Sequence, residues 1–75
     1  MSRFYFNTVC PDRSATDAVG EECRNIAEAK ERARESARKL AYMQIERGET
    51  PSGWIEVEDE KHRPVFMLPL RAIAS

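Results

Sequence analysis

Asp17, Glu21 and Glu22 stand beside Gly20. Carboxylates this close together are the raw material of a cation site or of general acid–base chemistry. They lack the alternating oxygen ligands of a calcium loop. The expected role is therefore a solvated acidic turn in which Gly20 gives the backbone its freedom. His62, the only histidine, follows Glu60 and Lys61 in a polar segment that reads as a turn, where an imidazole in water is the plain expectation. Cys10 and Cys23 match no zinc-finger or zinc-ribbon spacing with His62. Two thiols in a chain well supplied with apolar residues read as reduced, small buried hydrophobes. A disulfide stays open as the alternative if their two segments lie side by side. No Gly-rich phosphate loop, nucleophile elbow or paired-histidine motif is present. No catalytic, metal-binding or cofactor-binding residue is assigned, and the chain is not expected to be an enzyme. A metal or catalytic site built from Asp17, Glu22 and His62 ranks last among the readings.

Side chains suited to association are more prominent. Trp54 is the only Trp and alternates with Glu56 and Glu58, so it projects from a polar-looking strand face as an anchor for a partner or a cover for the sheet edge or the helix end. Lys30, Arg34 and Arg38 follow one another at four-residue spacing and form a basic ridge on a helix. Joined by the stacking rings of Tyr5 or Phe4, that ridge would suit a single-stranded nucleic acid. Interleaved glutamates weaken the idea. Glu28 with Arg32, Glu35 with Lys39, Glu31 with Arg34 and Glu35 with Arg38 all sit at ion-pairing distance on a helix, which reads as a solvated surface of weak pairs.

The elements that must position these groups follow from periodicity. Residues 3–10, Arg-Phe-Tyr-Phe-Asn-Thr-Val-Cys, are aromatic and β-branched and predict a strand. Phe4, Phe6 and Thr8 fall on one face, Tyr5, Asn7 and Val9 on the other. Pro11 to Ser14 reads as a turn, and a short strand carrying Gly20 is expected near Ala18 to Cys23. Asn25 followed by Glu28 is a capping-box variant opening a helix over 26–47. Its apolar stripe runs Ile26, Ala29, Ala33, Ala37, Leu40 and Gln44, extended by Ala41 and Ile45, and Gly48 is placed to close it. Trp54 to Glu58 alternates as a half-solvated strand, 59–63 is a turn, and 64–70 is a last strand in which Pro69 removes a ladder donor. The fold class is α+β: a three- or four-stranded antiparallel sheet in the order strand, short strand, helix, strand, strand, with one long helix on one face.

Seventy-five residues make one domain, 1–75, with a small core. The formal charge is −1, and residues 1–19, 20–48 and 49–75 sum to 0, +1 and −2. That balance does not suit a dedicated nucleic-acid binder. No uninterrupted apolar run exceeds four residues, as in Val65 to Leu68, far too short to span a bilayer, and the first residues lack the pattern of a signal peptide. A cytoplasmic location is the expectation.

Several short motifs occur in order: Arg3-Phe4-Tyr5-Phe6; Asp17-x-x-Gly20-x-Glu22; Asn25-Ile26-x-x-Ala29 opening an Ala-rich helix; Gly53-Trp54; and a hairpin ending Leu68-Pro69-Leu70. Together they resemble a family of small bacterial single-domain proteins of unknown function. Asn25 stands where that family usually has Asp, and His62 where it usually has Gly in the last turn. The resemblance implies the fold and no chemistry. One helix covers one face of the sheet, leaving Tyr5, Val9, Trp54, Val65 and Met67 for the other. Apolar groups there call for a homodimer or a protein partner. The expected function is a non-enzymatic interaction or self-association module, with weak nucleic-acid binding as the alternative. Trp54, Tyr5, Lys30, Arg34 and Arg38 are the candidate contact residues.

Overall fold

A computed structural model describes residues 1–74. Five strands, one long helix and one short helix follow in the order β1 (Ser2–Cys10), β2 (Arg13–Ala15), β3 (Glu21–Cys23), α1 (Ile26–Glu46), β4 (Trp54–Glu58), β5 (Pro64–Pro69) and α2 (Leu70–Ala74). All pairings are antiparallel, and β1 is central. It pairs with β4 through Tyr5–Val9, with β2 through Thr8–Cys10 and with β3 through Ser2–Phe4, while β5 borders β4.

The α+β architecture is as the sequence predicts, with five strands instead of three or four. The extra strand is β2. Pro11 and Asp12 alone make the turn, so Arg13 and Ser14 join the ladder opposite Cys10 and Val9. The expected strand near Ala18 shortens to Glu21–Cys23, because Gly20 takes φ +77° and lies ahead of it. At the other end, Pro69 cannot donate to the ladder. The chain leaves the sheet there, and Leu70 N–H donates to Gly53 O at 3.0 Å as α2 begins.

Helix α1 starts and stops on local chemistry. Asn25 Oδ1 accepts from Glu28 N–H at 2.9 Å. The Glu28 carboxylate reaches one residue further back than a capping box requires, accepting from Arg24 N–H and Arg24 Nε, both at 3.0 Å. It is therefore not paired with Arg32, whose partner is Glu21. At the C-terminus Gly48, φ +78°, donates to Ile45 O, and Glu49 N–H donates to Gln44 O, which is a Schellman closure.

The buried stripe of α1 is Ala29, Ala33, Ala37, Ala41 and Gln44. A spacing of four residues puts the alanines in one row along the helix. Ile26 and Ile45, expected on the stripe, are each 47% exposed, because that row curves away from both ends. Against the alanines stand the inward residues of the sheet, Phe4, Ile55 and Val57, with Phe6, Phe66 and Leu68 around them and Leu70 sealing the end. Val65 also packs inward. The β4–β5 register slips between Val57 and Glu58, so Val65 is the extra residue of a bulge and leaves the outer face assigned to it by alternation.

Between the β2 and β3 ladders the strand partner of β1 is interrupted, and Asp17 fills the gap. Its carboxylate accepts Phe6 N–H at 3.1 Å, Val19 N–H at 3.1 Å and Gly20 N–H at 2.9 Å, while Asp17 N–H donates to Asn7 Oδ1 at 2.9 Å. Asn7 is thereby 9% exposed although it points away from the helix. Burial raises the Asp17 pKa, but the Gly20, Phe6 and Val19 N–H groups and the Arg3 charge outweigh it and hold the carboxyl below the ordinary value.

The β4–β5 turn is organised by Asp59, whose Oδ1 accepts Lys61 N–H and Arg63 N–H at 2.9 Å. His62 sits in this turn at φ +61°, the left-handed region that a β-carbon disfavours. Its ring stacks on Tyr5, centroids 4.2 Å apart, and its Nδ1 lies 3.2 Å from Glu58 Oε1. Cys10 and Cys23 are both free and buried. Cys10 ends β1 and Cys23 pairs with Ser2 at its start, so roughly 26 Å of strand separates them. The alternative of a disulfide is thus closed by geometry.

Three outcomes follow. Asp17→Asn should cost about 1–3 kcal/mol at pH 7 in urea unfolding, because an amide cannot accept three N–H donors. A carboxyl held low in the folded state contributes stability above its unfolded value, about 3.9, and loses it as pH falls through the folded value. The acid slope of stability should therefore flatten in the variant, with Glu28 and Asp59, also held low mainly by backbone N–H groups, supplying the remainder. His62→Ala should lose about 1 kcal/mol, since it keeps the positive φ and drops the stack, whereas His62→Gly should stay within about 0.5 kcal/mol of the parent. Burial raises both thiol pKa values, so a thiol-specific disulfide reagent should label Cys10 and Cys23 only at the rate of unfolding.

Candidate functional site

Helix α1 lies on the Phe4, Ile55 and Val57 side of the sheet, and strand alternation sends Tyr5, Val9, Trp54, Glu56 and Met67 to the other. The pairing registers arrange that outer side in rows: Val9, Trp54 and Pro69, then Asn7, Glu56 and Met67, then Tyr5 beside Glu58. No helix covers these rows. Trp54 is 37% exposed and Met67 54% exposed, diagonal neighbours on adjacent strands.

A groove of about 440 Å³ opens beside them, walled by Pro51, Gly53, Trp54, Met67, Pro69 and Arg71. Its wall before β4 is held from inside the core. Gln44, 5% exposed, donates from Nε2 to Ser52 O and accepts Ser52 N–H on Oε1, each at 3.1 Å. Gly53 has φ +94°, and a β-carbon there would run into the Val9 carbonyl oxygen. The loop can therefore cross β1 only without a side chain at this position. Sequence periodicity placed Gln44 on the buried stripe, but its two bonds to Ser52 depend on where the chain returns after Gly48. A buried amide at helical spacing was the only sign of them.

The candidate contact residues do not form one surface. Trp54 and Tyr5 share the outer side of the sheet and lie in different rows, Tyr5 being stacked on His62. Lys30, Arg34 and Arg38 belong to α1 on the opposite side. Lys30 Nζ stands 5.1 Å from the centroid of the Phe66 ring, and Arg34 Nη1 donates to Glu31 Oε1 at 2.6 Å. Arg38 borders a small depression with Tyr42, Ile45 and Ile73. The basic ridge and the Tyr5 ring therefore face apart, and Phe4 is buried between them.

The acidic residues near Gly20 also disperse. Asp17 is taken up by backbone N–H groups, Glu21 by Arg32, and Glu22 lies 3.8 Å from Arg3. His62 meets Glu58 and Tyr5 and neither Asp17 nor Glu22. Among the described residues no three His, Cys, Asp or Glu side chains converge as metal ligands. Another depression, about 610 Å³, lies between the start of α1 and the β4–β5 turn over Phe4, Ile26 and Val65. Asp59 and Arg63 on its rim are bonded to each other at 3.0 Å. The chemistry it offers is apolar contact. Among the described residues no helix is long and apolar enough to cross a membrane.

No curated protein and no solved structure matches the chain. One family matches from Arg3 to Arg71, a span that takes in β4 and β5 and all of β1 but its first residue. The chain belongs to the family described as a domain of unknown function, DUF6894, which matches residues 3–71.

Proposed function

We propose that this domain works by docking the outer side of its sheet onto another polypeptide, with no catalytic step of its own. The observation that carries this reading is the pairing of Trp54 and Met67, exposed side by side at the mouth of a groove on the side of the sheet that α1 leaves open. Aromatic and Met side chains are enriched where proteins meet, because they bring much contact area at small entropic cost. Gly53, Gln44 and Pro69 hold the groove wall in place, so the surface is formed before a partner arrives. Nucleic-acid binding gains no comparable support. Lys30 and Arg34 are engaged within the chain, and the Tyr5 ring lies across the sheet from them.

A photo-reactive amino acid placed at Met67 tests the reading in the cells that naturally produce the protein. Irradiation should yield covalent adducts from position 67 and few from Glu35, which is exposed on the helix. Equal, background labelling at both positions would overturn it.

A further inference from the structure

Resting on the docking reading above, we infer that the polypeptide received by this face is a second copy of the chain, related by a two-fold axis. Each Trp54 then enters the groove of the other copy, and each Glu56 meets the other copy's Arg71.

A two-fold contact uses one patch twice, so the patch must complement itself. This one does so in shape and in charge. It carries a projecting pair, Trp54 and Met67, next to the groove that can receive them. Near the groove it also carries an acid and a base. Glu56 lies in the row of Met67, and Arg71 borders the groove beyond Pro69. Among the described residues neither has an ion-pair partner in its own chain; Arg13, Arg38 and several other charged side chains share that state, and it is their place beside the groove that singles Glu56 and Arg71 out. Opposite charges on one self-complementary patch attract across the axis and set the register.

Size points the same way. A standard interface needs about 800 Å² from each partner. The molecule measures 39 × 20 × 15 Å, so only a broad side can supply that, and the outer side of the sheet is the one without a helix. Sheet-on-sheet stacking is the arrangement that uses it. The sheet edges are poorer templates. Pro64 and Pro69 remove N–H donors at both ends of β5, and β2 is three residues long. A formal charge of −1 gives the copies little mutual repulsion.

Sedimentation equilibrium of the full chain, from micromolar to millimolar concentration, should show a monomer–dimer equilibrium. Glu56→Arg and Arg71→Glu should each raise the dissociation constant about tenfold or more, and the double exchange should return it to within about threefold of the parent. Far-UV circular dichroism of each variant checks that the fold is intact. A parent that stays monomeric at millimolar concentration overturns the second-copy inference, as does a dimer indifferent to both single exchanges or not rescued by the double one. If the parent is monomeric while position 67 crosslinks to a chain of another mass, the inference fails and the docking reading stands. Absence of any specific adduct at position 67 removes both.

Discussion

The contact on which the molecule depends is a row of four alanines laid against a sheet. Ala29, Ala33, Ala37 and Ala41 are each at most 1% exposed, and together they bring the backbone of α1 close to β4 and β5. Alanine adds little apolar area of its own, so the hydrophobic gain must come from the larger side chains opposite: Phe4, Ile55, Val57 and Leu70, with Phe6, Phe66 and Leu68 around them. A larger residue in the row would push the rod off the sheet and open gaps beside those side chains. The arrangement gives a thin core whose bulk is supplied by one layer only.

Other features are consequences of that economy. With a thin core, the strands need side-chain and cap chemistry to stay in register. Asp17 stands in for a missing stretch of ladder on β1, Gln44 ties the end of α1 to the loop before β4, and the Schellman closure at Gly48 turns the chain toward that loop. Each satisfies backbone groups that would otherwise be stranded as the sheet narrows. The bulge at Val65 moves one more apolar side chain to the helix side, where bulk is short. The same economy leaves the outer side of the sheet uncovered, since a chain of this length has a single long helix to spend.

The outer side then divides by chemistry. Near Tyr5 it is closed by local contacts: the His62 ring lies on the phenol, and a β-carbon on Gly20 would collide with the same ring. Near Trp54 it is open, and the groove wall is rigid because Gly53 is pressed against the Val9 carbonyl. Glu56 and Arg71 flank this open part of the outer side.

The helix with both caps, the alternation in β1 and β4, and the turn at 59–63 were readable from the sequence because each is set by neighbours within a few residues. So was the prominence of Trp54, since alternation with Glu56 and Glu58 assigns it to the outer side. What stayed hidden depends on which strands pair and in which register. Arg13 and Ser14 are strand residues only because β1 folds back beside them, and Val65 turns inward only because the register slips opposite Val57. Arg32 bonds Glu21 because β3 lies beside α1. The local pattern determined which elements form and which faces are apolar. Tertiary structure alone decided that Trp54 borders a groove while Tyr5 is capped, and that Cys10 and Cys23 lie at opposite ends of β1, because those outcomes depend on which segments pair with β1 and in which register.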